Sequence, residues 1–270
     1  MKKFAKVFAV AAACAALTGS VAAFAGCGNS AESITITGSS SVTPLMEKLA
    51  AAYEEDHDVR ITVSQSSSGA GVTDTIAGNN DFGMASRAVT SDEMSQGVKG
   101  ETLCNDGISL VVGKNCTATN ITTAEVKALY SDNTPACGGV ITAAVGRDEG
   151  SGTRDFFDEH FELKGYNSKV GTQAETGNVI ETIANTTNSV GYISYGSLGS
   201  NSSRIKALSL DGVECTLENL KNGSYVLCRP FVIVLSTSRE LSEAAQGFYD
   251  YIMSDAAQSV ISAEGYISIK

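Results

Sequence analysis

Short β-rich runs alternate with helical patterns along the chain from residue 34 to residue 264. The clearest helix is predicted at 44–55, where apolar residues recur at helical spacing and Pro44 suits the first turn. Regular alternation of this kind predicts an α/β fold around largely parallel sheets. No Pro-rich or Ser-rich linker divides the chain, so a fold with two lobes would need the chain to cross between them more than once.

The same patterns place the other elements. Strands are predicted at 34–37, 59–63, 81–85, 108–112, 141–145, 190–194, 205–208 and 231–235. Further helices are predicted at 72–77, 123–130, 153–161, 179–184, 216–222, 240–254 and 256–264.

The first 26 residues have the parts of an export signal: three lysines, an apolar core at 7–17 and small residues up to Cys27. Residues 24–27 read Phe-Ala-Gly-Cys and resemble the lipobox of bacterial lipoproteins, with Phe24 where an aliphatic residue is usual. The resemblance implies that Cys27 is acylated and becomes the N-terminus. The alternatives are an ordinary secretory signal cut near Ala23 or Ala25, and a retained transmembrane anchor.

The charge of the chain excludes some classes of partner. It has 19 Lys and Arg against 30 Asp and Glu, a formal net charge of −11, and no run rich in basic residues. Binding to a nucleic-acid backbone, or to anionic lipid through a basic face, is therefore not expected.

Five cysteines follow Cys27, so at least one must stay unpaired or pair between chains. Cys104 and Cys228 each precede an apolar run predicted as a strand, and a disulfide between them is our hypothesis. The spacing of Cys and His fits no metal site, so neither a metal nor a cofactor is expected.

Three segments combine a strand, a Gly/Ser-rich turn and a helix start: residues 38–44, 66–72 and 147–153. Backbone N–H groups at a helix start, hydroxyl donors and close-packing glycines together suit an anion. Arg147 adds a cation with a planar fork of donors. Any one such turn is commonly a simple helix cap, and Arg147 alone could form a surface ion pair with Asp148 or Glu149.

Enzyme motifs are missing from the sequence. It has no GxSxG elbow, no GxxxxGK[ST] loop and no HExxH pair, and only two histidines, His57 and His160. A Ser/His/Asp triad and enzymatic activity are therefore not expected.

Five motifs in order resemble the phosphate-binding proteins of bacterial phosphate ABC transporters: residues 37–44, 65–72, 81–83, 147–153 and 190–194. The resemblance implies an α/β, two-lobed periplasmic-binding-protein fold of type II, with the ligand in the cleft between the lobes. After a signal at 1–26 and a linker at 27–32, lobe I would comprise 33–112 plus 231–270 and lobe II 113–230. Hinges would lie near Val112 and Pro230.

The same resemblance assigns the ligand contacts residue by residue. The first loop maps onto Ser41, Val42 and Thr43, with Ser40 as a neighbour, and the second onto Ser68. The third supplies Arg147, Glu149 as the acid that orients it, and the donors Ser151, Gly152 and Thr153.

One position departs from the family. Many members carry an acid shortly after the Asp-Phe-Gly segment, and here that position reads Ser86, followed by Arg87. A carboxylate there would accept the proton of hydrogen phosphate and repel sulfate, whereas a serine repels neither. Arg87 would be either a second cation of the cleft or a surface residue.

The expected function is that of an extracytoplasmic, lipid-anchored, monomeric solute-binding protein. It would capture inorganic phosphate and deliver it to an ABC permease with its ATPase. The alternatives are a receptor for another tetrahedral oxyanion such as sulfate, a signalling or adhesive lipoprotein that keeps the fold, and a hydrolase of phosphate esters.

Overall fold

A computed structural model describes residues 32–270. The predicted export signal and Cys27 lie outside these residues. The strands of the described part are β1 (Glu32–Ser39), β2 (Val59–Ser66), β3 (Phe82–Ala85), β4 (Val98–Gly113), β5 (Asn120–Ile121), β6 (Ala143–Arg147), β7 (Gly171–Gln173), β8 (Ser189–Ser194), β9 (Ile205–Ala207), β10 (Ser209–Leu210) and β11 (Cys228–Ser236). Its α-helices are α1 (Thr43–Glu54), α2 (Ser68–Ala77), α3 (Ser91–Ser95), α4 (Thr123–Asp132), α5 (Gly152–His160), α6 (Thr176–Ala184), α7 (Leu217–Lys221), α8 (Glu243–Ile252) and α9 (Asp255–Ala263).

A nine-stranded sheet runs in the order β2-β1-β3-β11-β4-β8-β6-β7, with β9 also paired to β4. The outer strands pair in parallel, β1 with β2 and β3, and β6 with β7 and β8. The central strands β4 and β11 are antiparallel to their neighbours. The α/β class is confirmed, but the sheet is mixed rather than largely parallel, because each central strand pairs antiparallel with its neighbours.

Two large apolar clusters form the core. One packs α1, α8 and α9 against β1, β3 and β11. In α1, the apolar residues that recur at helical spacing are buried, namely Leu45, Met46, Leu49, Ala50 and Tyr53, and Pro44 lies in the first turn. The other cluster packs α4, α5 and α7 around β4 and β8. Burial of each helix stripe on a sheet face supplies most of the driving force for this arrangement.

Strand β4 belongs to both halves of the sheet. Its residues 98–107 pair with β11, and its residues 108–112 pair with β8. Ile108, Leu110 and Val112 pack in the cluster around β8, although the sequence analysis placed them in lobe I. The lobe boundaries stay a prediction.

The predicted disulfide is wrong, because Cys104 and Cys228 are both free thiols. On the paired strands Cys104 lies opposite Phe231, and Cys228 lies opposite Gly107, so the two are out of register. Cys104 is part of the core cluster around β1, whereas Cys228 packs against the cluster around β8.

Among residues 32–270, no helix has the length and apolar character needed to cross a bilayer.

Candidate functional site

The three Gly/Ser-rich segments lie against one another. The N–H of Gly69 donates to the carbonyl of Gly150 at 3.0 Å, which joins the second segment to the third. The hydroxyls of Ser41 and Thr153 are 2.9 Å apart, which joins the first to the third. Gly152 is needed there, because a Cβ on it would lie 2.5 Å from Oγ of Ser68.

Four helices begin at this place. They are α1, α2, α5 and α6, whose first residues are Thr43, Ser68, Gly152 and Thr176. The N–H groups of a first helical turn have no partner inside the helix, and the helix dipole puts partial positive charge at the same end. Four such ends at one site favour an anion.

Six buried hydroxyls form a connected cluster at the helix starts: Ser40, Ser41, Ser68, Ser86, Thr153 and Thr176. Ser41 Oγ lies 3.1 Å from Oγ1 of Thr176. Ser86 Oγ lies 3.3 Å from Oγ of Ser68 and 3.4 Å from Oγ1 of Thr153. The sequence had brought forward five of the six. The sequence did not lead us to Thr176. It could have been predicted as a small polar residue just before the apolar stripe of α6.

Arg147 lies at the end of β6 with only 2 % of its surface exposed. Its Nη2 donates to Oγ of Ser40 at 3.1 Å, and its Nη1 donates to Oγ1 of Thr176 at 3.2 Å. Burial lowers its pKa, and the nearby carboxylates of Asp148 and Glu175 partly oppose this effect. The guanidinium therefore holds two hydroxyls of the cluster by charge-assisted hydrogen bonds.

Glu149 does not hold Arg147 in place. Its side chain is exposed, while Nε and Nη2 of Arg147 donate to the carbonyls of Gln173 and Ala174 at 3.1 and 2.7 Å. The orienting role that the family resemblance gave to Glu149 is met here by two backbone carbonyls. They fix the plane of the guanidinium without adding a negative charge.

The remaining predicted residues lie around the cluster. The N–H of Val42 donates to the carbonyl of Ser39 at 2.9 Å, and the hydroxyl of Thr43 donates to the same carbonyl at 3.2 Å. Ser151 caps α5, its Oγ accepting from the N–H of Arg154 at 3.4 Å. Ser151 and Thr43 thus shape the helix starts.

A second buried arginine, Arg229, was missed by the sequence analysis. Its Nη1 donates to Oγ1 of Thr153 at 2.9 Å and to the carbonyl of Ser86 at 2.7 Å. Its Nη2 forms an ion pair with Oδ2 of Asp106 at 3.3 Å, and both side chains are fully buried. Arg229 on β11 and Asp106 on β4 are direct partners in the strand register. The available signal was a pair of opposite charges, each two residues before a predicted strand, 108–112 for Asp106 and 231–235 for Arg229.

Burial shifts both groups of this pair. It raises the pKa of Asp106 to about 6, against the attraction of Arg229, and it lowers the pKa of Arg229 to about 10. Arg229 is therefore charged at neutral pH.

Arg87 is turned away from the cluster. Its guanidinium pairs with Glu93 at 2.7 Å and with Asp155 at 2.8 Å. Arg87 was expected to be either a second cation of the cleft or a surface residue. It is neither, since its side chain is 14 % exposed and lies in ion pairs outside the cluster, and the second cation of the candidate site is Arg229.

Arg87→Met is expected to leave ligand affinity within about fivefold of the wild type, because a partly exposed ion pair outside the cluster contributes little. Isothermal titration calorimetry with inorganic phosphate measures this. A loss of more than about tenfold would place Arg87 in the site instead.

Ser40 and Thr176 also border a cavity of about 540 Å³, which extends to Pro44, Leu45 and Tyr266. The buried hydroxyl cluster is thus adjacent to a space that a small solute can enter.

Known proteins resemble this chain in sequence. A family profile described as a PBP superfamily domain matches residues 25–256. The phosphate-binding protein PstS of Staphylococcus epidermidis is 28 % identical over 252 residues, which is 86 % of this chain and 77 % of that protein.

Solved structures agree in fold. The structure of a phosphate ABC transporter substrate-binding protein from Clostridium perfringens, with bound phosphate, superposes with a TM-score of 0.82 at 32 % identity, covering 88 % of this chain and 100 % of that one. An ABC-type phosphate transport receptor from Vibrio cholerae gives 0.69 at 28 % identity, covering 87 % and 99 %. The two-lobed periplasmic-binding-protein fold predicted from the sequence is confirmed. This chain belongs to the family that is described as a PBP superfamily domain.

Proposed function

We propose that this chain captures inorganic phosphate and delivers it to an ABC transporter. The observation that carries the proposal is the cluster of six buried hydroxyls between Arg147 and Arg229 at four helix starts. Hydroxyl and guanidinium donors converging from several directions suit a tetrahedral oxyanion, and a buried setting strengthens each bond. The named function of the Staphylococcus and Clostridium relatives supports the same ligand.

The two halves of the sheet suggest how a ligand would be enclosed. We assign one lobe to the cluster around β1 and the other to the cluster around β8, with β4 and β11 as the strands that cross between them. Ser40, Ser41, Ser68 and Ser86 come from the first and Arg147, Thr153 and Thr176 from the second. Closure of the lobes would complete the donor set, and the closed form is what a transporter would recognise.

The proposed location, membrane anchor and oligomeric state rest on the sequence. We place the protein outside the cytoplasm, held to the membrane through acylated Cys27, and acting as a monomer. The role is binding and delivery rather than catalysis. A chromogenic phosphate ester should therefore not be turned over by the purified protein.

A calorimetric titration of residues 28–270 with inorganic phosphate near pH 7 tests the proposal. The protein is first stripped of carried ligand by partial unfolding and refolding. Tight binding with one phosphate per chain is expected. No heat of binding with phosphate would contradict the proposal and would favour the signalling or adhesive alternative.

Sulfate is the second candidate ligand, and Ser86 favours it. The Ser86 hydroxyl can accept the proton of hydrogen phosphate, but it does not repel sulfate as a carboxylate would. Competition of sulfate against phosphate in the same titration distinguishes the two ligands.

A further inference from the structure

The main chain of Arg147 is held by two side chains. Its N–H donates to the hydroxyl of Tyr192 at 3.1 Å, and its carbonyl accepts from Nη1 of Arg154 at 3.1 Å. The pairing of β6 with β8 ends at Val145, whereas Arg147 still pairs with Gln173 of β7 on its other side. Side chains therefore make the hydrogen bonds to Arg147 where the β8 ladder has ended.

Tyr192 is itself fixed by its surroundings. It is fully buried on β8, and its ring stacks on that of Phe157 at a centroid distance of 3.9 Å. Its hydroxyl lies 2.6 Å from the hydroxyl of Tyr166. Burial raises the pKa of Tyr192, so the hydroxyl is neutral at pH 7 and can hydrogen-bond to Arg147 and to Tyr166 at once. The acceptor of the Arg147 N–H thus has little freedom to move.

Tyr166 lies directly on the main chain next to Arg147. A Cβ on Gly146, the preceding residue, would overlap the ring of Tyr166, so this contact requires glycine in β6. Cζ of Arg154 lies 4.5 Å from the centroid of the same ring, and Nε of Arg154 donates to Oδ2 of Asp158 at 3.2 Å. Tyr166 and Asp158 therefore hold the side chain that donates to the carbonyl of Arg147.

The side chain of the residue held in this way belongs to the hydroxyl cluster. Nη2 of Arg147 donates to Oγ of Ser40, and Nη1 donates to Oγ1 of Thr176. A flexible stem joins the guanidinium to the main chain, so a main-chain shift at Arg147 moves these donors away from the hydroxyls. A fixed main chain also lowers the conformational entropy that the side chain loses when a ligand binds.

We propose that Tyr192 is a positioning residue for anion binding: its hydroxyl fixes the main chain of Arg147 and thereby keeps the guanidinium among the hydroxyls of the cluster. This inference rests on the proposed function, because it adds a residue to the site that captures phosphate. Within residues 32–270, the Tyr192 hydroxyl is hydrogen-bonded only to Arg147 and Tyr166. It therefore acts on a ligand through Arg147.

Tyr192→Phe tests the proposal, because it removes the hydroxyl and keeps the ring that stacks on Phe157. We expect the affinity of residues 28–270 for inorganic phosphate, measured by calorimetry near pH 7, to fall about 3- to 10-fold, the effect of one lost hydrogen bond. Arg154 still holds the carbonyl of Arg147, so the loss should be smaller than in Arg147→Ala. An affinity equal to that of the wild type would overturn the inference.

Tyr130→Phe is the matched control for the loss of a buried hydroxyl. Tyr130 is fully buried in the same apolar cluster and donates to the carbonyl of Val145 on β6 at 3.0 Å, two residues before Arg147. Both variants should lower the midpoint of urea unfolding by similar amounts, but Tyr130→Phe should keep the wild-type affinity. Equal losses of affinity would assign the effect to a general loosening of β6 and contradict the inference.

The Arg147→Ala background separates positioning of the guanidinium from any other role of the Tyr192 hydroxyl. Once the guanidinium is absent, adding Tyr192→Phe should weaken phosphate binding by less than about twofold more, because the two residues act as a unit. A further loss of about 3- to 10-fold would show that Tyr192 affects the site by another route, and the inference would be wrong.

Nuclear magnetic resonance of the ligand-free protein gives a readout that does not depend on phosphate. Nε–H of Arg147 donates to the carbonyl of Gln173 at 3.1 Å, so its proton should exchange slowly with solvent. Exchange should be about 3- to 10-fold faster in Tyr192→Phe and unchanged in Tyr130→Phe, the signal being identified by its absence in Arg147→Ala. Equal exchange in the wild type and Tyr192→Phe would refute the inference. Failure of the wild type to bind phosphate, with exchange as expected, would overturn the proposed function alone.

Discussion

Arg147→Ala is expected to weaken phosphate binding by about 10- to 150-fold, which corresponds to the loss of a charge-assisted contact of about 1.5 to 3 kcal/mol. The side chain is buried and donates to Ser40 and Thr176, so its removal also takes a hydrogen-bond donor away from two hydroxyl oxygens of the cluster. Calorimetric titration with phosphate at neutral pH gives the change directly.

Arg204→Ala is the control for the loss of an arginine as such. Arg204 pairs with Glu181 on the surface, with Nη1 to Oε1 at 2.6 Å, away from the hydroxyl cluster. Its replacement should leave the affinity unchanged, because exposed ion pairs contribute little and the protein has no basic field that steers anions from a distance. Equal affinity of Arg147→Ala and Arg204→Ala would move the site elsewhere.

Arg229→Met is expected to lower the free energy of unfolding by about 3 to 5 kcal/mol at neutral pH, because it leaves the carboxylate of Asp106 buried without its counter-charge. Both side chains of the pair are fully buried, so water cannot compensate. Urea denaturation followed by circular dichroism measures the change. An unfolding midpoint equal to the wild type would show that the carboxylate reaches solvent or another cation.

The loss in Arg229→Met should depend on pH. Burial raises the pKa of Asp106 in the folded chain and Arg229 lowers it, so the folded variant without Arg229 holds the proton of Asp106 to higher pH than the wild type does. Stability linked to this proton is present at low pH and is lost as the pH rises through the folded-state pKa. Arg229→Met should therefore be closer to the wild type near pH 5 than near pH 8.

Replacing the whole pair, as Arg229→Met with Asp106→Leu, is expected to recover most of the lost stability, because two apolar side chains of similar volume avoid the desolvation of both charges. Recovered stability would mean that the Arg229–Asp106 ion pair serves the binding site and is not needed to stabilise the fold. A double variant as unstable as Arg229→Met would contradict this, and would mean that the hydrogen bonds of Arg229 to Thr153 and to the carbonyl of Ser86 stabilise the fold themselves.

Local signals in the sequence were sufficient for most of the elements and for most of the donors. They did not predict β5, β7, β10 or α3, and β4 begins ten residues before its predicted start at 108. The stripe of Leu45, Leu49 and Tyr53 predicted α1, since helical spacing is a property of consecutive residues. The Gly/Ser-rich turns predicted donors at the starts of α1, α2 and α5 for the same reason, because capping and free N–H groups are set within one turn of the chain.

Contacts between residues that are far apart in the sequence were determined by the tertiary structure alone. Asp106 and Arg229 are 123 residues apart and meet through the register of β4 with β11, which no short motif encodes.

Thr176 joins the cluster because β6 and α6 bring it to Arg147, and the carbonyls of Gln173 and Ala174 take the place expected for Glu149. Cys104 and Cys228 fail to pair for the same reason, since a shift of three residues in strand register separates them. The sequence by itself determined the local donors of this protein, and the packing of its strands decided which charges face them, because register and burial depend on contacts between distant parts of the chain.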